Sequence, residues 1–251
     1  MSELDTPMAS HGKGMQQASS YRRGEPFPGR HGEKPAAHKE HTDRLALVSL
    51  PAPSTRGGLP LWEVMANRRT VRTYTADPLT QEQLSQLLWA GQGITGEAVR
   101  FRTVPSAGAI HPFEIYLVVN RVEGLEAGLY HYHVPSAALE FLRPGQLGAA
   151  LARASLDQDM MERAAVNFAL AAVVARATWR YHERAWRYMY LDAGHLVQNL
   201  ALAATAMGLG LCEIGAFYDG EVDQLFGLDG ERETVLYMAS VGGSGPVPGK
   251  G

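Results

Sequence analysis

The sequence has very little cysteine, no apolar run long enough to cross a membrane, and no excess of charge of one sign. Its single cysteine, Cys212, excludes an internal disulfide and any zinc site that needs two thiolates. The longest apolar runs, such as FALAAVVA, fall well short of the roughly 20 residues that span a bilayer. With 23 Lys and Arg against 26 Asp and Glu, the chain lacks the basic field that holds a phosphate backbone. We therefore expect no membrane span and no nucleic-acid partner.

The N-terminal part differs in composition from the rest of the 251 residues. Residues 1–57 are rich in Gly, Pro, His and Lys, and they lack the basic and then apolar order of a secretion signal. Such a composition buries too little apolar area to offset chain entropy. We expect a flexible leader over 1–57 that ends in a strap on the body (LALVSLP, 45–51), a folded domain over 58–251, and a cytoplasmic protein. The irregular spacing of His11, His31, His38 and His41 favours a solvated tail over a metal-binding tract.

Regular apolar periodicity begins near Pro60. It predicts helices over 61–68, over 80–93 with a capping box formed by Thr80 and Gln83, over 188–207, and over 219–226. Strands are predicted over 114–120, 128–134 and, as an unbroken apolar run typical of a central strand, 166–176. Because strands and helices interleave without an internal repeat, we expect one α+β or α/β domain.

Several short motifs each allow two interpretations. GQGITG matches G-x-G-x-x-G, but it follows a helix instead of a strand, so its glycines Gly91 and Gly93 are better explained as a helix stop than as a dinucleotide loop. RRTVRTY places three arginines around Thr70 where a helix ends. Guanidinium groups at that position suit a terminal phosphate, and equally they are favourable at a helix C-terminus.

Two loops are built from small residues. In PSAGAIHP, the Ser106 hydroxyl and the backbone could lie against a flat ring, although a plain turn is the alternative. In IGAF, Gly215 and Ala216 could offer N–H donors to a ring edge.

Other polar pairs have weaker support. His131 and His133 share a strand face, and a histidine-rich surface is favoured over a metal site. Asp192 and His195 lie one helical turn apart and could orient one another, but no G-x-S-x-G nucleophile motif accompanies them. Cys212 lies in an apolar run and is expected in the core.

These motifs occur in a familiar order. RRTVRTY, PSAGAIHPFEIYLVV, GLYHY and RYHERAWRYMYLDAGHLVQNLALAATAMGLGLCEIGAFYD together resemble the nitroreductase superfamily, most closely its SagB-type dehydrogenase branch. The resemblance runs from about Leu61 to Val241. It implies an α+β fold with a central mixed sheet flanked by helices, FMN as cofactor, and an intertwined homodimer with each flavin at the subunit interface.

The resemblance also implies which residues bind the flavin. Arg68, Arg69, Thr70 and Arg72 would hold the phosphate and ribityl end. The isoalloxazine would lie along Pro105, Ser106, Gly108 and Ala109, with Gly215 and Ala216 near its N5 and O4 edge.

Members that oxidise azolines in peptides carry a Lys-Tyr pair at the positions of Arg180 and Tyr181. Arg180 could only stabilise charge, which leaves Tyr181 as the proton-transfer candidate. The C-terminal VGGSGPVPGKG lacks the basic pair that completes the phosphate site in many members. We expect an FMN oxidoreductase that transfers hydride at flavin N5, acting on an azoline-type ring in a peptide or small metabolite. The alternatives are an NAD(P)H-dependent nitro or quinone reductase and a catalytically silent scaffold subunit of a peptide-modifying complex.

Overall fold

A seven-stranded antiparallel sheet with helices on both faces forms the core of the chain. The computed structural model describes residues 8–24, 29–96 and 101–244. The helices are α1 (Met8–Ala18), α2 (Leu61–Asn67), α3 (Gln81–Gln92), α4 (Gly148–Ala154), α5 (Met160–Arg163), α6 (Val174–Tyr181), α7 (Ala185–Ala206) and α8 (Asp219–Phe226). The strands are β1 (Ala46–Ser49), β2 (Phe113–Val119), β3 (Gly128–His133), β4 (Ala138–Pro144), β5 (Val166–Val173), β6 (Leu209–Ile214) and β7 (Glu233–Gly243).

The strand order is β1-β4-β3-β2-β5-β7-β6. The class is α+β, as predicted, but the expected mixed sheet is corrected, because every ladder between these strands is antiparallel. Short turns join β2, β3 and β4, and a short connection favours antiparallel pairing. Parallel pairing among the described residues is confined to isolated bridges, Thr70 with Leu211 and Leu79 with Val122.

Local sequence signals fix several boundaries. The capping box at α3 is present, with the Thr80 side chain accepting from the Gln83 N–H and the Gln83 side chain accepting from the Thr80 N–H. The helix runs through Gly91 and ends at Gln92, with Gly93 as its C-cap, so only the second glycine acts as the predicted stop. A side chain at Gly93 would collide with Trp89.

The apolar run at 166–176 contains two elements instead of one. Strand β5 ends at Val173, and α6 begins at the next residue. Periodicity cannot separate a buried strand from the helix that follows when both are apolar. The long helix α7 begins three residues before its predicted start and ends at Ala206, one residue before its predicted end. Helices α1, α4 and α5 and strand β4 were not predicted.

Alternation along the central strands gives the sheet two apolar faces. From β2, Ile115 and Leu117 pack with α3 and α7 on one face. Tyr116 and Val118 pack on the other face in a cluster with residues of α4, α5 and α8. Both faces of β2 and β5 are therefore buried, which explains their unbroken apolar sequences.

Part of the second face carries charge instead of apolar side chains. Glu114 of β2, His131 of β3 and Glu140 of β4 are buried side by side across three strands, and we call them the charged row. His131 contacts Glu140 Oε2 through Nδ1 at 2.7 Å and Glu114 Oε2 through Nε2 at 3.0 Å. Burial alone would raise the pKa of Glu114, but hydrogen bonds from His131 and Arg176 hold it at about 2.

The leader covers this row. The backbone N–H of Lys39 donates to Glu114 at 2.9 Å, and that of His41 donates to Glu140 at 3.2 Å. His38 and His41 are half-buried here, which corrects the expectation that they are solvated. The strap is the edge strand β1, paired with β4. The boundary at residue 57 and the flexibility of the leader stay predictions.

None of the helices in the described ranges is both long and apolar enough to cross a membrane.

Candidate functional site

The loop that enters β2 has a defined, partnered conformation. The Ser106 hydroxyl donates to Asp192 Oδ2 at 2.5 Å and accepts from the His111 N–H at 2.9 Å. The Ala107 N–H also faces the Asp192 carboxylate, at 3.3 Å. Asp192 lies on the buried side of α7, and burial raises its pKa, while the bonds from Ser106 and Ala107 oppose that shift. The long helix therefore holds the loop in place.

The same loop stores backbone strain. Gly108, Ala109 and His111 have φ angles of 60°, 53° and 50°. Only glycine adopts such angles without cost, so Ala109 and His111 are held there by their surroundings. Strained, over-determined loops of this kind cluster at ligand-binding sites.

Arg180 and Tyr181, at the end of α6, pack against this loop. A Cβ added to Gly108 would lie 2.5 Å from the Tyr181 hydroxyl oxygen and 2.7 Å from Arg180 Nη1. Arg180 Nη1 also donates to the Gly108 carbonyl at 3.4 Å. The Tyr181 ring is half-buried and meets the Tyr188 ring edge-on at 4.8 Å. The structure thus brings both predicted catalytic residues to Ser106, Gly108 and Ala109, while Pro105 is exposed beside them.

The arginine segment 68–72 follows α2 and lies beside β6. Thr70 forms a bridge with Leu211, and its hydroxyl donates to Glu213 Oε2 at 3.1 Å. Arg68 Nη1 is 3.6 Å from Glu213 Oε1. Arg69 donates to the Ala66 carbonyl at 3.1 Å. This arginine therefore caps the C-terminal end of α2, which is the alternative interpretation of the motif. The segment is half-buried to exposed and holds several guanidinium donors near one carboxylate.

Arg72 is exposed and lies near the thiol of Cys212. Cys212 is buried, as predicted, and burial raises the pKa of its thiol while Arg72 opposes the shift.

Gly215 and Ala216 come directly after β6 and are exposed. A Cβ on Gly215 would meet only Tyr237, at 3.8 Å, which is an ordinary contact. The Ala216 carbonyl accepts from the Gln158 amide at 2.8 Å. These residues belong with the arginine segment, because Glu213, which Arg68 and Thr70 contact, lies two residues before Gly215.

The predicted site residues therefore form two groups. The loop group contains Pro105, Ser106, Gly108, Ala109, Arg180 and Tyr181. The arginine group contains Arg68, Arg69, Thr70, Arg72, Gly215 and Ala216. Arg180 donates to the Gly108 carbonyl in the loop group, and Arg68 and Thr70 share Glu213 in the arginine group. No hydrogen bond or ion pair of the described residues joins one group to the other.

The other polar pairs differ from their sequence interpretation. His131 is fully buried between two carboxylates, whereas His133 contacts Ser136 Oγ at 2.7 Å. Among the described residues His41, His131 and Glu140 could together offer ligand atoms to a metal ion. Both nitrogens of His131 already contact carboxylates, so neither is left to bind a metal ion. The contacts favour a hydrogen-bonded charged row over a metal site.

Sequence reasoning missed the role of Asp192. It binds Ser106 and Ala107 instead of pairing with His195, which lies exposed. A signal was available, because Asp192 falls on the apolar side of α7 with Met189, Ala193 and Leu196. A lone carboxylate on that side needs a buried donor.

The α+β sheet therefore carries a strained loop held by Asp192 and, apart from it, a group of arginines beside β6. Residues 65–243 match the model of the Nitroreductase family, and the chain belongs to that family, as the sequence resemblance predicted. It is thus an enzyme of the oxidoreductase class.

Named relatives agree with this assignment. Nitroreductase-family protein MJ1384 of Methanocaldococcus jannaschii is 39% identical over 184 residues, which cover 73% of this chain and 91% of that protein. The trifolitoxin-processing protein TfxB of Rhizobium leguminosarum is 36% identical over 147 residues, 57% of this chain and 39% of TfxB. A nitroreductase homologue from Anabaena variabilis has a crystal structure that matches with a TM-score of 0.70 and 30% identity, over 80% of this chain and 42% of that one.

Proposed function

We propose that the protein is a homodimeric FMN-dependent oxidoreductase of the SagB-type branch, which oxidises an azoline-type ring in a peptide or small metabolite. The observation that carries the proposal is the loop group: a strained loop of small residues, anchored by Asp192, with Arg180 and Tyr181 against its glycine. That arrangement offers a flat surface next to one proton-transfer group and one fixed charge.

The arginine group fits the phosphate end of FMN. A phosphate dianion accepts several charge-assisted hydrogen bonds, and Arg68, Arg72 and the Thr70 hydroxyl can supply them. Glu213 competes for Arg68 and Thr70, so its carboxylate must turn away when a phosphate binds. The ion pair between Arg68 and Glu213 is long, 3.6 Å, and partly exposed, so this displacement costs little.

The loop group and the segment after β6 fit the ring. The absence of a Cβ on Gly108 lets Tyr181 and Arg180 pack directly on the backbone of the loop, so both side chains stay beside the surface that would meet a ring. Gly215 and Ala216 are exposed and could approach a ring edge through their backbone.

A second copy of the chain brings the two groups together in this proposal. Leu61, Trp62 and Met65 of α2 are each more than half exposed, and so is Leu191 of α7. Because α2 packs on α7, these side chains form an apolar surface of the kind that marks a protein interface. The loop group of one copy would then face the arginine group of the other.

FMN, when bound, supplies hydride acceptance at its N5 atom. The chain supplies position and proton transfer. The Tyr181 hydroxyl takes up or delivers the proton at the reacting ring, while Arg180, which keeps its charge, stabilises negative charge developing there. In the dehydrogenase direction, molecular oxygen would be the final electron acceptor.

The visible spectrum of the purified protein tests the cofactor. We expect flavin absorption bands, or their appearance with a rise in melting temperature when FMN is added to a colourless preparation. A protein that gains neither contradicts the proposal.

A second candidate is an NAD(P)H-dependent nitro or quinone reductase, favoured by the relative MJ1384, which aligns over nine-tenths of its own length. Anaerobic mixing of the flavin-loaded protein with NADH and with NADPH distinguishes this reductase from the proposed dehydrogenase. Rapid flavin bleaching supports the reductase, and bleaching only by the azoline substrate supports the dehydrogenase.

A third candidate is a silent scaffold subunit of a peptide-modifying complex, favoured by the relative TfxB and by Arg180 at the position of the expected lysine. The C-terminal segment that lacks the basic pair lies, from residue 245, outside the described residues. The Tyr181→Phe variant decides: the scaffold predicts unchanged activity of the reconstituted complex, and the dehydrogenase predicts a loss of about 10²-fold or more.

A further inference from the structure

We propose that a cationic cavity beside the loop group binds an anionic substrate group, a carboxylate or a phosphate. This inference deepens the proposed function and rests on it, because the cavity shares Gly108, Ala109 and Arg180 with the loop group. It names the class of substrate that the enzyme selects.

The cavity has a volume of about 290 Å³. The leader, the segment 102–111 and α6 enclose it. Five basic side chains line it: Arg30, Lys34, Arg102, Arg176 and Arg180. Within the described ranges no Asp or Glu lines it. The volume is near the lower end of the range for small-molecule sites, so it suits a small ligand or one end of a larger one.

Ion pairing leaves most of this charge uncompensated. Arg176 is paired with Glu114 at 2.5 Å. The described part of the chain supplies no ion pair to Arg30, Lys34, Arg102 or Arg180. Like charges around one cavity repel, and water screens them less where they are partly buried. An anion in the cavity removes that repulsion and gains charge-assisted hydrogen bonds.

Arg102 is the most enclosed of the unpaired cations. Its Nη1 donates to the Gln92 side chain, and its Nη2 lies 3.4 Å from His38 Nδ1. Its Nε is buried and has no hydrogen-bond partner among the described residues. Burial lowers the pKa of Arg102 to about 10, so it stays charged at neutral pH. An arginine in a cavity wall that keeps its charge and forms no ion pair with the described residues is suited to an incoming anion.

The leader wall of the cavity is fixed by contacts with the body. Arg176 Nε donates to the Ala36 carbonyl at 2.7 Å, and the Lys39 N–H donates to Glu114. The indole N–H of Trp179 donates to the Gly32 carbonyl at 3.2 Å. Arg30 stacks on the same indole, with its guanidinium carbon 5.2 Å from the ring centre. Arg30 and Lys34 are therefore held near the loop group by an anchored segment.

The test uses two ligands of nearly the same shape, of which one carries a negative charge and the other is neutral. Binding of benzoate and of benzamide to the FMN-loaded protein is measured by calorimetry. We expect benzoate to bind at least about tenfold more tightly, as one charge-assisted hydrogen bond predicts. Equal affinities would overturn the inference.

Variants place the effect in the cavity. The double variant R30Q/K34Q changes two exposed side chains, and R102Q changes the enclosed one. Each should weaken benzoate binding about tenfold or more and leave benzamide unchanged. R163Q, on the exposed surface outside the cavity, is the matched control and should change neither. Unchanged benzoate binding in both cavity variants, or a loss of FMN affinity in place of benzoate affinity, would assign the cavity no substrate role.

Single-turnover chemistry connects the cavity to the reaction. Dithionite-reduced enzyme is mixed anaerobically with 4-nitrobenzoate or 4-nitrobenzamide, so that no nicotinamide is needed. Wild-type flavin should reoxidise faster with dilute 4-nitrobenzoate, and R30Q/K34Q should abolish the difference. Equal rates in the wild type would count against the inference.

The outcomes separate this inference from the proposed function. Benzoate selectivity in a protein that takes up no FMN supports the anion cavity and contradicts the flavin enzyme. FMN binding without benzoate selectivity supports the flavin enzyme and contradicts the anion cavity. Inorganic phosphate that displaces benzoate at lower concentration identifies a phosphate ester as the favoured source, and weaker displacement identifies a carboxylate; both support the cavity.

Discussion

The loop group and the arginine group differ in how their polar atoms are used. In the loop, Ser106 and Ala107 are bonded to the buried carboxylate of Asp192, and the backbone is held in a strained form. In the arginine group, Arg68 makes one long, partly exposed ion pair, and Arg72 is exposed. The loop is set before any ligand binds, whereas the arginines keep spare donors. Shape selection and charge neutralisation are therefore assigned to different parts of the chain.

This difference has an energetic consequence. A preformed loop loses its conformational entropy during folding, so this loss does not reduce the free energy of ring binding. Flexible arginines lose side-chain entropy only when a phosphate arrives. Changes in the loop should therefore lower stability, and changes in the arginine group should lower affinity.

The largest effect should come from Asp192→Ala. It leaves the Ser106 hydroxyl and the Ala107 N–H without their buried acceptor, which costs about 1 to 3 kcal/mol for each unsatisfied group. Thermal unfolding should show a fall in melting temperature of several degrees. Asp192→Asn keeps an acceptor and should lose less, and the exposed Asp159→Ala should lose almost nothing. Equal melting temperatures for the Asp192→Ala variant and the wild type would show that Asp192 does not hold the loop.

Arg68→Ala and Arg72→Ala should each weaken FMN binding by about 1.5 to 3 kcal/mol, because each removes a charge-assisted hydrogen bond to phosphate. Their unfolding temperatures should stay near that of the wild type. Titration with FMN, followed by flavin fluorescence, measures the affinity. Arg232→Ala is the control, because the side chain of Arg232 is 92% exposed. Wild-type FMN affinity in both variants would remove the phosphate assignment.

Gly108→Ala should destabilise the protein by about 1 to 2 kcal/mol, the cost of a left-handed conformation in a residue with Cβ. The added methyl group would also displace Tyr181 and Arg180. Chemical denaturation measures the loss. Gly220→Ala is the matched control, since its Cβ would meet open space. A Gly108→Ala variant as stable as this control would contradict the strained loop.

Glu213→Gln should tighten FMN binding by up to about 1 kcal/mol, the usual upper value of a partly exposed ion pair. The reason is that phosphate would no longer compete with a carboxylate for Arg68. The same FMN titration detects the gain, and the gain should disappear in an Arg68→Ala background. A weaker affinity would mean that Glu213 positions the arginine for phosphate.

Gly215→Ala should have the smallest effect on folding, within about 0.5 kcal/mol, as at most surface positions. Its Cβ has only an ordinary contact in the free chain. If a ring lies against this residue, FMN affinity should nevertheless fall. Unchanged affinity would place the ring edge elsewhere.

Local signals in the sequence were sufficient for much of the fold. The capping box of α3 and the acidic start of α8 depend on neighbouring residues, and both appear in the structure. The alternating segment 128–134 contains strand β3, but the strand is buried on both faces instead of alternating in burial. The division of 166–176 between β5 and α6 could not be predicted, because tertiary packing decides where an apolar run turns from strand to helix.

The site was predictable where a motif carries its own chemistry. The order of RRTVRTY and PSAGAIHP indicated both groups. The partners of those motifs come from distant positions: Asp192 lies 86 residues from Ser106, and Glu114 lies 75 residues from Lys39. Only the fold brings such pairs together. Helical spacing marks Asp192 as a buried carboxylate, but it identifies neither its partner Ser106 nor the members of the charged row.

The charged row has a consequence for any shortened form of the protein. A chain that begins after Arg44 would open two buried carboxylates and an imidazole to water, and it would lose Arg30 and Lys34 in the same cut. Removal of the N-terminal segment should therefore lower the stability to unfolding and change the ligand preference together. The shortened chain and the 251-residue chain would then differ in which molecules they accept, even where both remain folded.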